Sequence, residues 1–304
     1  MNLKNNSNIY SVIDVGTNNV LLLISTSGTN PEIFLRRSAT SALGKDMKDG
    51  MLTEAGILRA QKILAEFIAL SKEFTQKIII IGTSCSREAK NIGLLTDWLW
   101  QNYKINYQII SGEDEAILNG LANIEEFSEF DNLVLFDIGG GSTEFTYISN
   151  KRIINEITVP LGIRRFINEY GDNQKLICQK ARELLVDIPH QLDQNIELIG
   201  IGGTACSLAA MKFGLKKYQS EIVHKSSLTS LELKNILEDI AKLSPEMLTA
   251  KLPFDTKRAE IIEVGALLIK EIVDSFQRSG FLVSDRGLQF GVLQLDKQKL
   301  AKML

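Results

Sequence analysis

Leu133-Val134-Leu135-Phe136-Asp137-Ile138-Gly139-Gly140-Gly141-Ser142-Thr143-Glu144-Phe145 is the stretch that decides the fold. An apolar run ending in Asp reads as a strand over 133–138. The glycines and two hydroxyl residues that follow read as a turn, and Glu144 to Ile148 as a returning strand. The pattern apolar, apolar, Asp, apolar, Gly also stands at Val12-Ile13-Asp14-Val15-Gly16, 123 residues earlier. There too, β-branched runs, Ile9 to Ile13 and Val20 to Ile24, flank a short polar turn. Internal duplication is the simplest account.

Outward from these hairpins the chain alternates strands and helices. Thr53 is placed to cap a helix reaching about Phe74, with Leu58, Ile63, Phe67 and Leu70 on its apolar face, after a loop ending near Gly50. Ile78-Ile79-Ile80-Ile81 reads as a central parallel strand covered on both faces. Further strands are expected over 105–110 and 196–201, and helices over 175–194, 230–243 and 257–276. Leu288 to Lys302 reads as a final helix or strand-helix piece.

With 304 residues, 44% apolar and 23% charged, the chain is long enough for two domains and too hydrophobic for disorder. A formal net charge of −3 provides no global field for DNA or an anionic membrane, so any polyanion must be held locally. The amino-terminal apolar stretch is interrupted by Asp14 before it reaches signal or spanning length, and neither export nor a membrane anchor is expected. Cys85, Cys178 and Cys206, with only His190 and His224, make no zinc spacing, and a reduced cytoplasmic setting follows.

The two Asp-then-Gly turns are suited to aim backbone N–H groups at one phosphate-sized anion from opposite sides of a cleft. Gly139, Gly140 and Gly141 allow close approach of the main chain, and Ser142 and Thr143 add hydroxyl donors. Thr17 and Asn18 occupy the first turn. Three glycines alone are equally consistent with a flexible hairpin. If the turns face each other, Glu115 and Glu144 lie at the same cleft and orient a water for attack on phosphorus. Glu113 needs only the helix dipole to explain it. Carboxylates beside an anion call for a cation; Mg²⁺ suits, with Asp137 and its counterpart Asp14 as candidate ligands, although Asp137 also reads as a turn cap. Arg87 is placed to clamp phosphoryl oxygens, or else to pair with Glu88. Lys212, Lys216, Lys217, Arg164 and Arg165 read either as a positive groove or, taken singly, as a solvated face.

The segments IDVGTNN (13–19), LGKDMKDGMLTEAG (43–56), GTSCSREAKN (82–91), ISGEDEA (110–116), FDIGGGSTEF (136–145), IGIGGTACSLAAM (199–211), RAEIIEVGALLI (258–269) and SDRGLQFGVL (284–293) resemble, in order, the exopolyphosphatase and guanosine pentaphosphate phosphatase family of the actin/sugar-kinase/Hsp70 superfamily. The resemblance implies an α/β protein of two ribonuclease-H-like (actin-like ATPase) domains with an interdomain cleft: 1–124 plus 288–304, and 125–287. It implies hydrolysis of a terminal phosphoanhydride assisted by Mg²⁺, with Glu115 the catalytic carboxylate, Glu144 a second essential acid, and Asn18, Arg87 and Gly139 to Thr143 on the phosphates. The expected substrate is inorganic polyphosphate or guanosine pentaphosphate; a kinase of the same superfamily and a non-enzymatic polyphosphate or alarmone sensor are the competing readings. DNA and membrane partners are not expected, and the chain is expected to act alone or as a homodimer. It departs from the family at Thr17-Asn18-Asn19, Asp114 and Gln289, where Ser-Asn-Ser, Glu and Arg are common.

Overall fold

A computed structural model describes residues 8–189 and 196–304. The chain divides into two compact units: one runs to Glu125 and resumes over Leu288–Leu304, and the other is Glu126–Gly287. Among the described residues no helix is long and apolar enough to cross a membrane.

The first unit holds β1 (Ile9–Val15), β2 (Asn19–Thr26), β3 (Ile33–Thr40), α1 (Glu54–Phe74), β4 (Ile78–Gly82), α2 (Ser84–Glu88), α3 (Gly93–Tyr103), β5 (Tyr107–Ile109) and α4 (Gly112–Ile124). Its sheet has the order β3-β2-β1-β4-β5. Both faces are covered, which is why β4 is apolar throughout: Ile78 and Ile80 join a core with α1 and α3, while Ile79 and Ile81 join a second core beneath α4. Thr53 caps α1 by accepting from the Gly56 N–H at 3.1 Å. The face α1 buries is Gly56, Ile57, Ala60, Leu64, Phe67, Ile68 and Ser71, so Leu58, expected inside, is exposed. The expected stripe followed only large side chains, whereas Gly56, Ala60 and Ser71 are the small ones that let α1 sit close. Strand β3 occupies part of what was expected to be a loop. It is a sheet edge carrying Arg36 and Arg37, so it lacks the apolar run of its neighbours. The expected strand over 105–110 is three residues long.

The second unit holds β6 (Asn132–Ile138), β7 (Thr143–Ser149), β8 (Arg152–Val159), α5 (Ile163–Tyr170), α6 (Gln174–Leu185), β9 (Glu197–Ile201), α7 (Gly202–Lys212), α8 (Ser220–Val223), β10 (Ser227–Thr229), α9 (Ser230–Ile240), α10 (Pro245–Lys251), α11 (Ile262–Ser275) and β11 (Gly280–Ser284). The sheet order is β10-β11-β9-β6-β7-β8. β8, another polar edge, had no counterpart in the sequence reading. The helix expected over 175–194 ends at Leu185, and its tail from 190, with His190, lies outside the described residues. A 3₁₀ turn over Thr256–Glu260 replaces the start of the helix expected from 257. The chain then ends in the first unit with α12 (Leu288–Leu293) and α13 (Lys297–Lys302).

The duplication extends to hydrogen-bond register. Asp14 faces Leu21 and Val15 faces Val20 across β1–β2, while Asp137 faces Glu144 and Ile138 faces Thr143 across β6–β7. Both turns close with the same bond: Gly16 N–H to the Asn19 carbonyl, and Gly139 N–H to the Ser142 carbonyl, each 2.9 Å. The bulge between Ile24 and Ser25 recurs between Tyr147 and Ile148, at the same 123-residue offset.

Candidate active site

In the first unit, β4 delivers α2 and β5 delivers α4, so that Arg87 and Glu115 meet. Arg87 Nη1 lies 2.8 Å from Glu115 Oε2 and 3.0 Å from the Ile110 carbonyl oxygen. Glu115 is 9% exposed, whereas Glu113 and Asp114 face solvent. Ser111 caps α4, its Oγ accepting from the Asp114 N–H at 3.0 Å. This leaves Glu115, one residue further round the helix, turned inward. Arg87 therefore pairs with the candidate catalytic carboxylate, while Glu88 accepts from Ser84 Oγ at 3.3 Å. Thr17 and Asn18 are buried in their turn. Behind it, the Thr17 carbonyl accepts from the Gly44 N–H at 2.9 Å and the Asn18 carbonyl from the Ala42 N–H at 2.8 Å. Cys85 lies beside Thr17, and burial pushes its thiol up to about 12. A nucleophilic thiolate is thereby excluded there at neutral pH.

Gly291 sets the position of α4: a methyl there would overlap the Leu118 carbonyl oxygen, so α12 packs directly on the helix that bears Glu115. Gln289 is buried and donates to the Val12 carbonyl at 3.0 Å.

In the second unit the glycine turn is held from behind by α5. Ile163 N–H donates to the Gly139 carbonyl at 3.0 Å, and the Arg164 and Arg165 N–H groups to the Gly140 carbonyl at 2.7 and 2.9 Å. Arg165 Nε reaches the Gly141 carbonyl at 2.8 Å. In a trans peptide the C=O and the next N–H point opposite ways, so these bonds aim the N–H groups of Gly140, Gly141 and Ser142 away from α5, as an anion site requires. None of the three glycines has positive φ. Glu144 is buried, and Ser142 Oγ donates to its Oε1 at 2.5 Å. Thr143 Oγ1 instead turns to the Leu161 carbonyl. Asp137 is half-buried, opposite Glu144 and against Gly202, where any Cβ would press on Asp137 Oδ1 at 2.6 Å.

Two further cations stand here. Arg258, 7% exposed, lies over Gly203 at the start of α7, with Nε 2.9 Å from Asp255 Oδ2. Arg165 is the other. Of the remaining groove candidates, Arg164 is buried with Nη2 3.6 Å from Glu260 Oε2, Lys212 is half-buried and paired with Glu232 at 2.9 Å, and Lys216 and Lys217 are exposed, as a solvated face requires. His224 ties Glu126 to the Asp285 backbone N–H, a structural task.

Paired Asp-Gly turns on a duplicated α/β unit define the two-domain actin-like class. Within it, the chain belongs to the Ppx/GppA phosphatase family, whose model matches residues 24–299. A bifunctional 3-dehydroquinate synthase/phosphatase of Fusobacterium nucleatum is 30% identical over 95% of this chain, and the chain spans 46% of that relative's length. Exopolyphosphatase 2 of Mycobacterium tuberculosis is 22% identical over 86% of this chain and 89% of its own. A solved exopolyphosphatase from Cytophaga hutchinsonii superposes with a TM-score of 0.84 at 25% identity, covering 94% of this chain and 96% of that one.

Proposed function

We propose that the protein releases terminal orthophosphate from inorganic polyphosphate by attack of water, acting in the cytoplasm, where its three free cysteines are suited to remain reduced. The observation that carries the reading is the asymmetry of the duplication: the turns match in register and closing bond, yet the position equivalent to Leu21 is Glu144, a buried carboxylate hydrogen-bonded to the turn's own Ser142. A pure anion binder gains nothing from a carboxylate there. In the proposal the N–H groups of each turn bind phosphate oxygens. Glu115, oriented by Arg87, accepts the proton of the attacking water as its oxygen bonds to phosphorus and the bridging P–O bond breaks. Glu144, held by Ser142, is the second acid of the reaction.

Among the described residues no three His, Cys, Asp or Glu side chains converge into a metal cage. One half-buried carboxylate per turn, Asp137 or Asp14, fits Mg²⁺ that keeps its waters and shares phosphate oxygens. When bound it would offset charge on those oxygens.

The test is orthophosphate release from short polyphosphate, long polyphosphate and guanosine pentaphosphate, with Mg²⁺ and with a chelator. Mg²⁺-dependent release, fastest from polyphosphate, is expected. Preference for the nucleotide would transfer the same chemistry to the second substrate. No release from any of them, or phosphate transfer from ATP to a sugar or acetate, would overturn the proposal.

A further inference from the structure

The two turns differ in what holds their last carbonyl. In the first unit the Asn18 carbonyl accepts from the backbone N–H of Ala42, a residue forced into the left-handed region with φ 46°. The equivalent carbonyl, Gly141, accepts from the Arg165 side chain. The backbone segment behind it does not copy the first arrangement. The residue matching Ala42 is Gly162, extended at φ −122° and packed flat on Gly141, with an added methyl falling 2.5 Å from the Gly141 Cα.

We propose that Arg165 is a positioning residue for catalysis. By fixing the Gly141 carbonyl it fixes the plane of the Gly141–Ser142 peptide, and so the direction of the Ser142 N–H. Ser142 in turn holds Glu144 through its hydroxyl, so one hydrogen bond from Arg165 sets both an anion donor and a catalytic acid. The half-buried guanidinium acts through Nε and the peptide. The inference rests on the proposed hydrolysis for its kinetic consequence but not for its structural one.

The experiment compares Arg165→Met with Arg165→Gln. The Gln side-chain nitrogen stands the same number of bonds from Cα as Arg Nε, so it preserves the donor while removing the charge. In the unliganded protein, hydrogen exchange over 139–144 is expected to quicken about tenfold or more in Arg165→Met, the scale of one lost charged hydrogen bond, and to stay within about threefold of wild type in Arg165→Gln. With polyphosphate, kcat is expected to fall about 10- to 100-fold in the Met variant and to recover largely in the Gln variant, while melting temperatures differ by only a few degrees. Unchanged exchange in Arg165→Met, or equal kinetic loss in both variants, would overturn the assignment, the latter by making the charge and not the hydrogen bond responsible. If wild type released no phosphate, the functional reading would fall while the exchange comparison still decided this one.

Discussion

Gly162→Ala probes how rigidly the glycine turn is backed. Gly162 has an extended conformation open to any residue, so alanine brings no backbone strain. The clash is purely one of space: the new methyl would lie 2.5 Å from the Gly141 Cα and 2.6 Å from its nitrogen, where ordinary contact begins at 3.4 Å. The turn must therefore recede by about 1 Å. Overpacking of this kind costs about 1–3 kcal/mol, which lowers Tm by about 2–4 °C per kcal/mol for a unit of this size. A 1 Å displacement of a positioning group costs up to about 10²-fold in rate. Calorimetry together with orthophosphate release at saturating polyphosphate measures both, with Gly93→Ala, whose methyl would meet only Asp97 Oδ2 at 3.7 Å, as control. Wild-type turnover and Tm in Gly162→Ala would refute the claim that the segment behind the turn fixes its geometry.

Glu115→Ala is expected to lose about 10²–10⁴-fold in turnover, the scale of a general base, while still binding polyphosphate in a calorimetric titration. Full turnover in both Glu115→Ala and Glu144→Ala would reassign the group that activates water. Gly291→Ala should push α12 off the Leu118 carbonyl, lowering Tm and, because α4 carries Glu115, activity along with it. Cys85, with its thiol raised from 9.0 to about 12, should resist alkylation at pH 8 and label only on unfolding, as mass spectrometry would show. Since its folded value lies above the unfolded one, its contribution to stability is complete below pH 9 and is lost as pH rises toward 12; Cys85→Ala should remove that part of the alkaline decline in Tm.

The hairpins and β4 were legible because buried central strands must be apolar on both faces, and because Asp-Gly turns repeat at a fixed offset. β3 and β8 were not, since an edge strand pairs on one side only and tolerates Arg36, Arg37 and Arg152. The face of α1 was misplaced because glycine, alanine and serine carry little hydrophobic signal yet mark where a helix lies closest to its sheet. Within the candidate site, the glycine turn and the acids announce themselves by residue type. Arg165 and Arg258 do not: an arginine near an anion site looks like any surface cation until the fold brings Gly141 to one and Gly203 to the other. Asp255, three residues before Arg258, was the available signal for a paired, buried guanidinium. The Arg87–Glu115 pair likewise joins segments 28 residues apart, a separation that local patterning does not read.

The central claim, that water attacks the terminal phosphorus, is tested most directly by carrying out polyphosphate hydrolysis in ¹⁸O-labelled water and weighing the orthophosphate. The account predicts one heavy oxygen in each phosphate released, and loss of that product in Glu115→Ala. Orthophosphate that carries no label would contradict it; labelled product formed at the wild-type rate by Glu115→Ala would keep water as the nucleophile and remove Glu115 as its base.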